Sequence, residues 1–344
     1  MKITSAQLGD AVEKGIINEE QLQQLLTLAR QNPVLGARFD LTHILYYLGG
    51  MLAIGAMTLF MTLGWESFGG WGIFVISCLY AIGGISLLDF FRAREAHVPA
   101  GICAVFVVAL TPLAIYGLQN GMGWWVPDAV YRDYHRFIRW NWVFMELGTL
   151  ATGAVMAWRY RYPFLLMPIG ATLWYVSMDL SAMLTGGRID RELASLVSVW
   201  FGLIHILFAF WVDIRSRKSA DYGFWLYLFG VMTFWGGLTS MDSSGEWSRF
   251  CYMLVNLGLI GIGVLLVRRV FVIFGALGVT LYLGHLAKTV FKDSWFFPIS
   301  LTVIGLGIVL LGLWWQRHEL ELTKSFQGIL PAPIRELAAN RRDR

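Results

Sequence analysis

Five polar or ionisable side chains lie inside long apolar stretches of the sequence, where burying a charged group is costly and therefore marks a candidate site. They are Glu146, Asp179, His205, Asn256 and His285. Carboxyl and imidazole groups in such surroundings commonly bind or pass protons and ions, so this set predicts a pocket for an ion or a small solute. The alternative is that each side chain simply hydrogen-bonds a neighbouring helix.

Four of the five lie at similar depths. Counted from the nearer end of their apolar stretches, Glu146, Asp179, Asn256 and His285 fall within about two helical turns of one surface. We expect them to line a polar pocket that opens to the outside of the membrane. His205 lies deeper, roughly 18 Å along its helix at 1.5 Å per residue, and is expected either to bond a neighbouring helix or to handle a proton.

A second candidate set lies in the long joint of residues 119–141. A helix near 127–140 would place apolar residues on one arc and charged residues on the other, as in helices that lie flat in a membrane interface. The polar arc holds Arg132, Asp133, His135, Arg136 and Arg139. We expect contacts with an anionic group, either a lipid headgroup or a solute. Non-specific pairing with phospholipid phosphates is the simpler alternative.

Motifs for other chemistries are absent from the sequence. It contains no phosphate-binding glycine loop, no metalloprotease pattern of His and Glu and no c-type haem motif. Cys78, Cys103 and Cys251 lie in apolar stretches, without a second Cys or a His at zinc-ligand spacing. No catalytic residue, metal or cofactor is indicated, so an enzyme is the less favoured class. A membrane enzyme acting on a lipid would need Asp133 or His135 for turnover.

The composition is that of a membrane protein, because 57% of the 344 residues are hydrophobic and only 15% are charged. Ten stretches of about 20 apolar residues predict an all-α polytopic membrane protein with about ten transmembrane helices. The stretches cover 44–64, 71–91, 99–118, 142–158, 163–184, 193–213, 222–241, 250–267, 270–287 and 296–315. A net charge of +4 is too small to indicate nucleic acid as a partner.

Most Lys and Arg residues fall at alternate joints and in the C-terminal tail, which by the positive-inside rule places both termini in the cytoplasm. At the cytoplasmic ends of two spans, Asp89 and Asp213 precede Arg92 and Arg215, and we expect two interfacial ion pairs there.

Three domains are predicted. Residues 1–40 form a cytoplasmic amphipathic helical hairpin, in which Gly15 ends a first helix and a capping box of Asn18 and Gln21 opens a second. The transmembrane domain covers 41–316, and a cytoplasmic tail covers 317–344. The phospholipid bilayer is the expected partner, and a protein partner would dock on the hairpin or the tail. The oligomeric state stays open.

Three of the predicted spans share a local pattern. Gly170, Gly230 and Gly278 each precede a threonine and an aromatic residue, and the earlier pair Leu147-Gly148 matches Leu257-Gly258. The pattern predicts a helical hairpin that is repeated along the chain in one orientation. Chance similarity between spans rich in Gly and Leu explains it equally well.

Residues 15–22 read Gly-Ile-Ile-Asn-Glu-Glu-Gln-Leu, and residues 43–52 read His-Ile-Leu-Tyr-Tyr-Leu-Gly-Gly-Met-Leu. This opening resembles a bacterial family of predicted membrane proteins of unknown function, the domain of unknown function 2157 type. In that family a short helical hairpin similarly precedes a Gly-rich first span. The resemblance implies a bacterial cytoplasmic (inner) membrane location and brings no activity or site residues with it.

Two function classes follow from these patterns. The first is transport or permeation of a small solute or ion through the outward-facing polar pocket, which requires Asp179 and His285 to face one another around water. The alternative is a non-catalytic membrane scaffold or lipid-binding assembly component, in which the same polar residues only join helices in a dry core.

Overall fold

The computed structural model describes residues 12, 15–24, 45–46, 48–52, 55–56, 59, 68–124, 140–184, 191–215, 221–241, 245–286, 289, 298–299, 302–303, 305–306 and 310. Within these residues every regular element is a helix, so the expected all-α class is confirmed there. The predicted interfacial helix near 127–140 and the C-terminal tail lie almost wholly outside the described residues.

Eight α-helices cover most of the described residues. They are α1 (Gly69–Ala93), α2 (His97–Gly121), α3 (Trp140–Tyr160), α4 (Leu166–Leu184), α5 (Arg191–Arg215), α6 (Gly223–Ser240), α7 (Glu246–Leu266) and α8 (Arg269–His285). A short 3₁₀ turn, Pro163–Leu165, precedes α4. These helices coincide with the second to ninth predicted spans.

Four of the described helices, α1, α2, α5 and α7, are long and apolar enough to cross a membrane. α8 is a shorter apolar helix. The first and last predicted spans, 44–64 and 296–315, lie largely outside the described residues. A membrane protein is therefore supported, and the total of about ten helices stays a prediction.

The outward faces of these helices are apolar. Ile82 of α1 and Ile204 of α5 are 62% and 63% exposed, and Leu207 and Trp200 lie on the same outer side of α5. A protein surrounded by water rarely exposes such continuous apolar faces, whereas hydrocarbon is a suitable environment for them. The exposed side chains thus agree with the composition in favouring insertion into a bilayer.

Near the N-terminus, the predicted local signals are confirmed. Gly15 has φ +67° and its N–H donates to the Val12 carbonyl, as expected of a glycine that ends a helix. The Asn18 N–H donates to Gln21 Oε1 at 3.0 Å, and the Gln21 N–H donates to Asn18 Oδ1 at 2.7 Å. This reciprocal capping box starts the next helix.

Three helix pairs, α1/α2, α5/α6 and α7/α8, pack with their backbones in close approach, and glycines make this possible. A Cβ added at Gly117 would lie 2.6 Å from the Phe74 backbone nitrogen, and one at Gly275 would lie 2.6 Å from the Asn256 carbonyl oxygen. In the middle pair, a Cβ at Gly202 would overlap the Phe234 backbone. Any larger residue at these positions would force the paired helices apart.

The helices α3 and α4 join the first close pair to the second through looser contacts with side chains. A Cβ at Gly153 of α3 would meet Ile169 of α4 at 2.7 Å, and one at Gly170 of α4 would meet Phe229 of α6 at 2.8 Å. The third pair is joined to α6 by aromatic contacts, including Tyr227–Phe271 with ring centroids 5.4 Å apart. The described bundle is thus three tight pairs linked by side-chain packing.

The three glycines that suggested a repeated hairpin are all buried, but each packs against a different helix. Gly170 packs on α6, Gly230 on α5 and Gly278 on Asn256 of α7. The threonines beside them, Thr172, Thr233 and Thr280, donate their hydroxyls to the carbonyl four residues earlier in their own helices. The shared pattern therefore marks a small residue at a helix crossing and a threonine that needs no partner outside its helix.

The contact of Gly202 yields a testable prediction. We expect Gly202→Ala to lower the free energy of unfolding by about 1–3 kcal/mol, because the new methyl group meets the Phe234 backbone and cannot be accommodated by a side-chain rotation. The measurement is the midpoint of unfolding in mixed detergent micelles. Gly236→Ala in α6 is the control, since a Cβ there meets nothing within 4 Å. Equal midpoints for the two variants would contradict the close α5/α6 packing.

Candidate functional site

The structure brings Glu146 and Asp179 together. Glu146 of α3 is 9% exposed, and its carboxyl group lies close enough to that of Asp179 of α4 for the two to interact electrostatically. Glu146 lies about 9 Å along α3 from Trp140, and Asp179 lies about 8 Å along α4 from Leu184. Because the two helices run in opposite directions, these similar depths place the carboxyl groups side by side.

The polar neighbours of this carboxyl pair are satisfied within their own helices. The buried Thr149 hydroxyl donates to the Met145 carbonyl at 2.7 Å, and the buried Ser177 hydroxyl donates to the Trp174 carbonyl at 2.6 Å. A hydroxyl that donates within its helix still offers oxygen lone pairs to a bound species. Thr149 lies one helical turn from Glu146 on the same side of α3, so one hydroxyl oxygen lies on the face that carries the Glu146 carboxyl group.

Asn256 is placed elsewhere. Its side chain is fully buried in α7, and its Nδ2 donates to the Tyr252 carbonyl at 2.8 Å. The amide packs directly against Gly278 of α8, where a Cβ would overlap it. Its Oδ1 has no hydrogen-bond partner among the described residues. In this position Asn256 fills the crossing of α7 and α8.

His285 belongs to a third location, at the ends of α7 and α8. Its Nε2 lies 2.6 Å from Arg249 Nη1 and 3.2 Å from Glu246 Oε1, while Arg249 and Glu246 form an ion pair at 2.9 Å. The Thr289 hydroxyl lies 3.0 Å from the same Nε2. The expected arrangement of Asp179 opposite His285 is not seen, because Asp179 contacts Glu146 while His285 contacts charged residues of α7.

His205 is buried in α5 with 3% of its surface exposed, and Gly230 of α6 packs against its backbone. Neither ring nitrogen has a hydrogen-bond partner in the described part of the chain. The expected bond to a neighbouring helix is therefore not found within those residues. The interfacial candidates Arg132, Asp133, His135, Arg136 and Arg139 lie outside them.

A buried ion cluster that sequence reasoning missed lies at the other end of the bundle. Arg268, between α7 and α8, is 4% exposed and donates to Asp213 Oδ1 at 2.9 Å and to Asp221 Oδ2 at 2.7 Å. Its guanidinium also lies 4.9 Å from the centroid of the Tyr227 ring. The cluster ties the end of α5 and the start of α6 to the α7/α8 turn.

The expected partner of Asp213 was Arg215, and the structure corrects this. Arg215 instead lies over the Trp211 ring at 5.4 Å. Side chains two residues apart point to different faces of a helix, so Asp213 faces the bundle while Arg215 faces outward. Gly223 leaves room for the buried pair, since a Cβ there would lie 2.7 Å from Arg268 Nη2.

A neighbouring contact strengthens the same end of the bundle. The Tyr222 hydroxyl donates to the Arg161 carbonyl in the turn after α3, where Arg161 has φ +56°. Asp221 and Tyr222, adjacent in sequence, thus hold two different turns in place.

The ion cluster gives a second prediction. We expect Arg268→Met to lower stability by about 3–5 kcal/mol, because it leaves the buried Asp213 carboxylate without its cation. Arg269→Met, which changes an exposed arginine, is the matched control and should cost within about 0.5 kcal/mol. Thermal unfolding of both variants measures the difference. Asp213→Asn added to Arg268→Met should recover part of the loss, and no recovery would contradict the pairing.

Within the described residues, no group of three or more His, Cys, Asp or Glu side chains could hold a metal ion. Comparisons of the chain with protein-family models, curated proteins and solved structures give no match. The resemblance of residues 15–22 and 43–52 to a bacterial membrane-protein family therefore stays a prediction. What the protein does has to follow from the placement of its own side chains.

Proposed function

We propose that the protein transports or conducts a small solute or ion across the bacterial cytoplasmic membrane, with the Glu146–Asp179 pair as its outward-facing site. In this proposal about ten helices cross the membrane and both termini lie in the cytoplasm. Support comes from four described helices that are long and apolar enough to cross a membrane. Further support comes from the exposed apolar faces of these helices.

The observation that carries the proposal is the contact between two carboxyl groups from different helices. Two adjacent carboxylates repel each other, and a surrounding low dielectric makes this repulsion stronger. A proton or a cation held between them would relieve this repulsion. Ionisable side chains within apolar helices are candidate binding sites, so the proximity of these two carboxyl groups favours a binding role.

The chemistry of the pair restricts what it would bind. Carboxyl groups attract a proton or a cation and repel an anion, and the hydroxyl oxygen of Thr149, one turn from Glu146, would add a neutral ligand of the kind that hard cations accept. The cargo class proposed here is therefore a proton or a small cation, or a solute whose movement is coupled to one. Glu146 and Asp179 would hold this species and release it when the pair changes protonation.

The second candidate function is a non-catalytic scaffold or lipid-binding component. It is favoured by the tight glycine-mediated pairs and by threonine hydroxyls that are satisfied within their own helices. Both features suit a bundle that does not open. In this case Glu146 and Asp179 would only join α3 to α4, and a protein partner would dock on the N-terminal hairpin or the tail.

Ion flux tests the first proposal. In proteoliposomes with a trapped pH-sensitive dye, and with Na⁺ and K⁺ as test cations, we expect flux above that of empty vesicles. Glu146→Gln and Asp179→Asn should each reduce it by about tenfold or more, the effect of losing about 1.4 kcal/mol of binding. Glu192→Gln, at an exposed position in the first turn of α5, is the control and should leave the flux unchanged.

Thermal stability of the same variants separates the two functions. Both functions allow Glu146→Gln and Asp179→Asn to stabilise the fold, because neutral amides remove the repulsion of two carboxyl groups. Only the transport proposal requires flux to fall while stability rises. Wild-type vesicles without proton or cation flux, or flux that both variants leave intact, would contradict it.

A further inference from the structure

An apolar groove lies between helical residues 45, 46, 49 and 50 on one side and α1 and α2 on the other. Its volume is about 700 Å³, within the range of small-molecule pockets of roughly 300–1,000 Å³. The walls are almost wholly apolar and include Tyr46, Tyr80, Leu87 and Phe106. It is distant in sequence from Glu146 and Asp179 and does not depend on the transport proposal.

Two glycine pairs shape this groove. A Cβ at Gly50 would lie 2.8 Å from Ile102 Cγ2, and one at Gly84 would lie 2.8 Å from Val107 Cγ2. These two glycines therefore allow the helices that form the walls to pack closely. Their neighbours, Gly49 and Gly83, also line the groove, but a Cβ at either would meet nothing within 4 Å. One glycine of each pair thus closes a helix contact while the other leaves the groove open.

An exposed arginine follows the groove-lining residues of α1. Gly84, Leu87 and Phe91 line it from α1, and Arg94 follows on the same face at the helix end, three residues beyond Phe91. The Arg94 guanidinium lies 4.1 Å from the centroid of the Phe90 ring and is exposed. Arg92 falls on another face of the helix, and Glu95 follows in the turn.

We infer that this groove binds an acyl chain of one membrane phospholipid, whose phosphate contacts Arg94. An apolar channel along two membrane-crossing helices, with a cation at its end, matches a hydrocarbon chain that ends in an anionic headgroup. Gly49 and Gly83 let the chain lie directly on the helix backbones. The charge at one end distinguishes this occupant from a wholly apolar segment of a second protein chain.

The test uses the full-length protein, purified in detergent and freed of lipid, with dioleoyl phosphatidylglycerol as the probe and native mass spectrometry as the readout. Wild type should bind one lipid more tightly than the rest. A Cβ at Gly83 or Gly49 meets nothing within 4 Å, so Gly83→Leu and Gly49→Leu place a side chain in the groove from two separate chain segments, and each should weaken this binding about tenfold. Gly258→Leu, on an exposed glycine of α7 with the same open surroundings, should leave it unchanged.

A second comparison tests the headgroup contact. Arg94→Gln should weaken phosphatidylglycerol binding about two- to fivefold, as expected for an exposed ion pair, and should leave binding of dioleoylglycerol, which lacks phosphate, unchanged. Equal losses for both lipids would overturn the role of Arg94.

The acyl-chain site itself would be overturned if both groove-filling variants, folded as judged by their thermal unfolding, bound phosphatidylglycerol like the wild type. It would also be overturned if the species lost on filling the groove were a second copy of the chain, since the groove would then be a protein interface.

Discussion

The close approach of helix backbones at glycine is the constraint on which the described bundle depends. Lipid tails are as apolar as leucine, so helices in a bilayer gain little by hiding apolar side chains from their surroundings and associate mainly through packing. Gly117, Gly202 and Gly275 each place one helix backbone against the next. Atoms along the whole helix crossing then make dispersion contacts. Each contact is weak, but together they stabilise the helix pair strongly. The looser joints through α3 and α4 follow, because there a glycine meets a side chain instead of a backbone.

The charged side chains of the described bundle differ in the partners that they contact. Arg268 is held by Asp213 and Asp221 at one end of the bundle, and His285 lies with Glu246 and Arg249 at another. In both clusters a carboxylate lies beside a cationic or imidazole side chain. In the buried cluster this pairing offsets the cost of burying the charges, and in the exposed cluster it is a surface ion pair. Glu146 differs, because its named partner is another carboxyl group. The proximity of two carboxyl groups from different helices is what makes this pair a candidate binding site for a proton or a cation.

Much of the local structure could be predicted from particular residues. Asn18 and Gln21 form the predicted capping box, and Gly15 ends the preceding helix, because both signals act within one helical turn. Matched depth in adjacent helices was enough to suggest that Glu146 and Asp179 share a site. The same reasoning also assigned Asn256 and His285 to this pocket, whereas Asn256 packs against Gly278 and His285 contacts Glu246 and Arg249, since equal depth does not say which helices are neighbours. The pairing of Asp213 with Arg268, 55 residues away, had no local signal.

The sequence by itself determined the helices and the membrane class, because hydropathy and helix-end signals depend on residues close together in the chain. The tertiary structure decided which glycine of each Gly-Gly pair closes a contact and which opens a groove, and which acid meets which base. These outcomes depend on how helices distant in sequence are rotated and paired. A rotation of one residue, about 100°, turns a buried position into one that faces the lipid, and only packing against a neighbouring helix fixes that rotation.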